Sequence, residues 1–170
     1  MIQESDVNSI QTNKGFIIEA VDMIYVSVRV IAGSGNQSGA LVSKGLAALG
    51  TQFRVGALLN NDPNLQFRSR HYTFVSILAT ENNTLVSFND VKFGVKLLNN
   101  ASAGNLPAPI ILNSGESFVM AVMGPVDPDI DGLMTENRDG LIGASISSDK
   151  PIAVNCGSFS GTNASNNLDL

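Results

Sequence analysis

Apolar side chains in this chain fall into short runs that alternate with a period of two. Turn residues break these runs at intervals too short for helices, so the backbone is committed to paired strands. The clearest run is Ile24–Ala32, where Ile24, Val26, Val28 and Val30 alternate with Tyr25, Ser27, Arg29 and Ile31. Period two with β-branched residues on one face predicts a half-buried strand. Gly15–Val21 reads as its partner, with Asp22 at the break and a turn at Gly33–Asn36 behind the pair. Gln52–Leu59 is a further strand, followed by the loop Asn60–Asn64. His71–Thr80 and Thr84–Phe88 read as a hairpin across Asn82-Asn83. Lys92–Leu98 is a short strand. The turn Asn113–Glu116 leads into a strand over Ser117–Met123, and Leu141–Ser147 and Pro151–Cys156 complete the set. Only Ala40–Leu49 has helical character, and Gly45 and Gly50 limit it to a short turn. The expectation is an all-β, antiparallel sandwich-like domain of about ten short strands with at most one short helix. The alternation argues against a parallel sheet buried on both faces.

Composition narrows the function. Hydrophobic residues make up 44% of the 170 residues and charged residues only 15%, leaving Gly, Asn and Ser to fill the turns. A net charge of −5 argues against a phosphate-binding surface, and no basic run restores one locally, so nucleic acid is not an expected partner. Arg68 and Arg70 read as surface charge. No apolar run reaches the ~18 residues of a membrane-spanning helix, and the polar start at Met1 carries no export signal. Both ends read as cuts from a longer chain. Cys156, the one cysteine, excludes an internal disulfide and reads as a buried thiol in an apolar strand.

Four stretches resemble the amino-terminal domain of the IgG-Fc-binding protein family, related domains of which occur in large bacterial surface proteins. They are Ala47–Phe53 (AALGTQF), Ile77–Thr84 (ILATENNT), Leu112–Phe118 (LNSGESF) and Gly143–Asn155, which contains Ser-Asp-Lys-Pro followed by Ile-Ala-Val. Their order also fits the family. In the last of them Pro151 suits the first residue of a strand, and Asp149 suits a turn cap. A weak internal echo of this stretch lies at Asp22–Val28, where Met23 stands in place of the Lys-Pro step. The resemblance implies a non-catalytic domain of adhesion or matrix contact; immunoglobulin binding itself is not carried over. Family members usually continue beyond Gly161 into a second half.

The sharpest local chemistry is Asp127-Pro128-Asp129-Ile130-Asp131-Gly132. Alternate carboxylates ahead of a Gly are how a short loop gathers oxygens around Ca²⁺. Asp127, Asp129 and Asp131 are therefore candidate ligands, with Glu136 or Asp139 as further contributors. Arg138 at the twelfth position excludes an EF-hand. The competing reading is a solvated acidic loop. Glu81 and Glu116 are a carboxylate pair of the kind glycoside hydrolysis uses, at a separation the sequence does not fix. His71 is the one histidine, and it has no catalytic elbow around it. Gly33-Ser34-Gly35 has no helix behind it and does not form a nucleotide loop.

The expected organisation is an N-terminal extension over 1–14, a β domain over 15–161 read as the first half of a longer family domain, and the start of a following segment over 162–170. The expected role is a non-enzymatic interaction module of a large secreted or cell-surface, adhesin-like protein. It would bind glycan or protein partners through the loops Asn60–Arg70, Asn99–Pro109 and Pro125–Asp139. It would also contact other domains of its own chain and would not insert into membrane. The alternatives are a stalk or packing domain without a ligand and, third, a carbohydrate-active enzyme fragment.

Overall fold

A computed structural model describes residues 3–14, 18–31, 38–42, 44–57, 72–100, 107–122 and 140–159. Among these residues the alternation becomes nine strands and two 3-10 turns, with no α-helix. The strands are β1 (Ile10–Gln11), β2 (Ser27–Ile31), β3 (Ser38–Val42), β4 (Leu49–Arg54), β5 (Tyr72–Ala79), β6 (Thr84–Asn89), β7 (Ile110–Leu112), β8 (Ser117–Ala121) and β9 (Ser145–Phe159). The 3-10 turn Gly45–Ala48 is the helical turn expected in Ala40–Leu49.

Seven strands form one antiparallel sheet in the order β1-β8-β5-β9-β6-β7, with β4 on the other edge of β9. Period two selects the inward set. Val75, Ile77 and Ala79 of β5, Thr84, Val86 and Phe88 of β6, Phe118 and Met120 of β8, and Ile146 and Ile152 of β9 are all buried. Nearly all of these apolar side chains join one core with Val95, Leu97, Leu112, Val122 and Leu141. The sheet folds over so that its halves face each other. Phe88 from one half meets Phe118 from the other at a centroid distance of 5.8 Å. This is the antiparallel, sandwich-like all-β architecture the sequence predicts.

β9 makes this fold possible. Along one edge its first residues pair with β6, Ser145↔Asn89 to Ser148↔Val86. Its later residues pair with β5, Ile152↔Ala79 to Phe159↔Tyr72. Thus β5 and β6 lie end to end along β9 and do not form the expected hairpin with each other. Alternation reports which face a residue occupies, not which strand lies beside it. The two expected strands Leu141–Ser147 and Pro151–Cys156 are likewise one strand, and Leu141–Gly143 is a turn. Pro151 lies inside it, not at its start. The partner change occurs at Asp149–Pro151, where no ladder pair forms, so the N–H that Pro lacks is not needed. Opposite, Thr51 of β4 alone faces Ser148–Pro151, since Gly50 pairs with Ile152 and Gln52 with Ser147. β9 bulges and bends there.

Gly50 leaves room for a ring at that bend. A β-carbon at this position would stand 3.1 Å from Cζ of Phe53, a ring packed on the core. Gly50→Val is therefore expected to destabilise the domain by about 1–3 kcal/mol through overpacking, read as a lower urea midpoint at unchanged slope.

Elsewhere the structure corrects the sequence reading. The strand expected at Ile24–Ala32 begins at Ser27 and pairs with β3, not with Gly15–Val21. Of the face expected to be half-buried, Val26 is so, but Ile24 and Val28 are exposed, and the β2–β3 pair forms a sheet of its own. Residues 18–26 form no strand, so Asp22–Val28 and Asp149–Cys156 do not share a conformation. Lys92–Leu98 is irregular chain with turns and isolated bridges from Leu97 alone, interrupted by Gly94 at φ +84°. It still buries Val95, Leu97 and Leu98. β3, β7 and the two-residue β1 have no counterpart among the expected strands, and Ala40–Val42, expected to have helical character, belongs to β3.

Candidate functional site

The stretches that carry the family resemblance meet in space at the β9 bend. Thr80–Asn83 spans the gap between β5 and β6, Asn113–Glu116 is the turn from β7 into β8, and Ser148–Pro151 is the bulge of β9. Their side chains bond across one another. The Thr80 hydroxyl donates to the Pro151 carbonyl at 2.7 Å. The Ser114 amide donates to Asn82 Oδ1 at 3.0 Å, and its hydroxyl to the Thr80 carbonyl at 3.0 Å. The Asn83 amide donates to Asn113 Oδ1 at 3.2 Å. The Lys150 ammonium donates to the Asn82 carbonyl. The Asn113 amide donates to Glu116 Oε2 at 2.8 Å, and Gly115, at φ +83°, donates its amide to the Ala79 carbonyl at 2.9 Å. The fourth stretch, Ala47–Phe53, lies across β9 at the same level, with Gly50 opposite Ile152. These polar groups satisfy backbone donors and acceptors that the interrupted ladder leaves over. They lock the bend.

Asp149 is a cap, as the sequence suggests, but for a neighbouring strand. Its Oδ1 accepts from the Leu85 amide at 2.8 Å. Asp149→Ala is expected to cost about 1 kcal/mol, whereas Asp149→Asn, which keeps the acceptor, is expected to retain most of it. Urea titration of both variants checks the order.

The opposite end of the sandwich gathers the flanks of the longest connections. β5 begins there at Tyr72, and Val122 at the end of β8 donates its amide to the Thr73 carbonyl at 3.0 Å. Leu97 bridges both Val122 and Asn100. Lys92 donates its amide to the Gly140 carbonyl at 3.3 Å, and Val55, just past β4, donates to Ala144 at 2.9 Å. Residues flanking 58–71, 101–106 and 123–139 thus emerge from one end. Arg54 closes its rim, with Nη1 2.6 Å from Asp90 Oδ2 and 2.8 Å from the Gly143 carbonyl.

The calcium candidates Asp127, Asp129 and Asp131 lie outside the described residues, as do Glu136, Asp139, His71, Arg68 and Arg70. Among the described residues, no group of three or more His, Cys, Asp or Glu side chains is placed to hold a metal ion. Glu116 spends its carboxylate on Asn113, and the Glu81 carbonyl accepts the Thr84 hydroxyl at 2.7 Å. Cys156 is a free thiol, half-buried against the core. Of the loops singled out from the sequence, only Asn99, Asn100 and 107–109 are described. The lock itself had no signal in strand periodicity, because its partners are far apart in the chain.

A family profile described as IgGFc binding protein matches residues 38–169. No curated protein and no solved structure matches the chain significantly.

Proposed function

The chain belongs to the IgGFc binding protein family, and on that premise we propose that it is a non-catalytic, extracellular interaction module of a large secreted or cell-surface, adhesin-like protein. It binds protein or glycan partners through the loops at the end of the sandwich opposite the β9 bend. The observation that carries this reading is the common exit of the flanks of 58–71, 101–106 and 123–139. Several connections leaving one end of a rigid scaffold is how sandwich domains present a binding surface. The acidic balance speaks against nucleic acid. No helix among the described residues is long and apolar enough to cross a membrane. Asp127, Asp129 and Asp131 are proposed Ca²⁺ ligands on sequence grounds. A melting midpoint that does not move between added Ca²⁺ and EGTA removes the metal.

The family's name speaks of immunoglobulin Fc, and for this chain the partner class is kept at protein or glycan. The test immobilises the full chain and probes it with a glycan array, with immunoglobulin Fc and with secreted matrix proteins. Saturable binding that is lost when the sequence 60–70 is replaced by a Gly/Ser linker supports the reading. A folded chain that binds none of the probes overturns it. That result favours a packing or stalk domain, for which the lock at the β9 bend already speaks, since its polar side chains are spent on internal bonds.

A further inference from the structure

The residues matched by the family profile begin at Ser38, yet part of the main sheet is completed by a segment well before that. Residues 3–14 lie along β8. The Asn8 amide donates to the Val119 carbonyl at 2.8 Å, and Ile10 and Gln11 pair with Phe118 and Ser117. Val7, 8% exposed, enters a small apolar cluster with Leu98, Val119 and Ala121, against which Phe74 packs. Asn8 and Asn99 clasp it, Nδ2 of each donating to the other side: Asn8 to the Asn99 carbonyl at 3.2 Å, and Asn99 to the Val7 carbonyl at 3.1 Å. Without this segment, β8 would present an open strand edge beside an uncovered apolar patch on an otherwise finished sheet.

The segment is also a unit in itself. Asp6 Oδ2 accepts from the Gln3 amide at 2.8 Å and from Lys14 Nζ at 3.1 Å. These two donors, the amide first, hold the Asp6 carboxyl below its ordinary range. Ser9 Oγ and Gln11 Nε2 donate to the Asp6 carbonyl at 2.8 and 3.0 Å. These bonds travel with the segment wherever it docks. Behind it, among the described residues, 18–26 form no strand and expose Ile18, Val21, Met23, Ile24 and Tyr25. The chain from Gln11 to Ser27 reaches roughly 50 Å when extended.

We propose that the β8 edge, with Leu98, Val119 and Ala121, is a strand-docking groove that residues 3–14 fill within one chain and that the same segment of a second copy fills between chains. Two chains thereby exchange arms in a closed, twofold pair, because each offers both an arm and a groove. The contacts are the same in both states, so concentration decides between them.

Gln11 and Ser117 are direct cross-strand partners, a spacing that accepts a disulfide. All chains carry Cys156→Ala to remove the competing thiol. The double variant Q11C/S117C, oxidised when dilute, is expected to close within one chain, which reports the register. Full-length chains carrying Q11C alone and S117C alone are then unfolded together, refolded as a mixture and oxidised. A disulfide-linked heterodimer joining positions 11 and 117, increasing with protein concentration, is expected. Val7→Asp in the Q11C chain places an unpaired carboxylate in the apolar cluster and is expected to lower the yield at least about tenfold. If the double variant closes and the mixture gives no 11–117 heterodimer at any concentration, the arm is a fixed part of one chain and the proposal falls.

Discussion

Ile152→Ala is expected to lower the unfolding free energy by about 2–5 kcal/mol, a large part of the 5–15 kcal/mol typical of a domain. Ile152 is fully buried and is the first residue of β9 paired after the bend. Ala79 faces it on one side and Gly50 on the other. Neither neighbour can move in to fill the space left by the lost methyl groups. Gly50 has no side chain, and the Phe53 ring already occupies the space beside it, 3.1 Å from where a β-carbon would stand. The cavity therefore stays largely open, which puts the loss toward the upper part of the range. Leu85→Ala and Ile111→Ala remove side chains of similar size that are 42% and 57% exposed, and each is expected to cost under about 1 kcal/mol. Urea titration of the three variants, followed by circular dichroism, gives the comparison. A loss below about 1 kcal/mol for Ile152→Ala would mean that the two halves of β9 are not joined through this residue. The unfolding should also remain a single transition, because β9 belongs to both halves of the sheet and neither half keeps its ladder without it.

The faces of β5 and β6 were legible in the sequence because alternation is a local property, whereas Phe118–Ala121 of β8 is apolar throughout and buried on both faces. Thr84, Val86 and Phe88 point inward and Leu85 and Asn89 outward, as a period of two requires. Partnership was not legible. Thr80 to Thr84 looks like a hairpin turn by composition, and Asn83 does adopt φ +54°. The strand that captures both β5 and β6, however, lies more than sixty residues downstream, and nothing local announces a 15-residue strand. Pro151 misled for the same reason. It reads as a strand start until the bulge of β9 supplies a place where its missing donor is not required. In β2 the periodicity is strong yet Val28 is exposed, since alternation prepares a face for packing without providing anything to pack on it.

The candidate site divides along similar lines. The polar stretches that carry the family resemblance could be quoted from the sequence, but their convergence could not. Asn83 meets Asn113 thirty residues away, Leu85 meets Asp149 at sixty-four, and Thr80 meets Pro151 at seventy-one. Their role is also narrower than a binding reading suggests. Amides, hydroxyls and carboxylates at this bend replace ladder bonds that a bulged strand cannot make, so these stretches specify the fold. The flanks of the longer connections lie at the opposite end.

The contact between Phe88 and Phe118 is where the two faces of the sandwich meet, and its coupling is expected to be measurable. The rings stand 5.8 Å apart at an interplanar angle of 43°, and both residues are buried, at 5% and 3% exposure. Phe118→Ala and Phe88→Ala are each expected to cost about 3–5 kcal/mol from lost burial and the cavity left behind. Removing both should cost less than the sum. The second truncation opens onto space already emptied by the first, and the ring–ring attraction of about 0.5–1.5 kcal/mol is lost only once. Phe→Leu at each position keeps enough core volume for the double variant to fold, and gives the same cycle at smaller amplitude. Denaturant unfolding of the four proteins in the Leu cycle yields the interaction energy directly. Coupling near zero, with both single variants destabilised, would place the two rings in separate clusters and remove the face-to-face closure of the sheet.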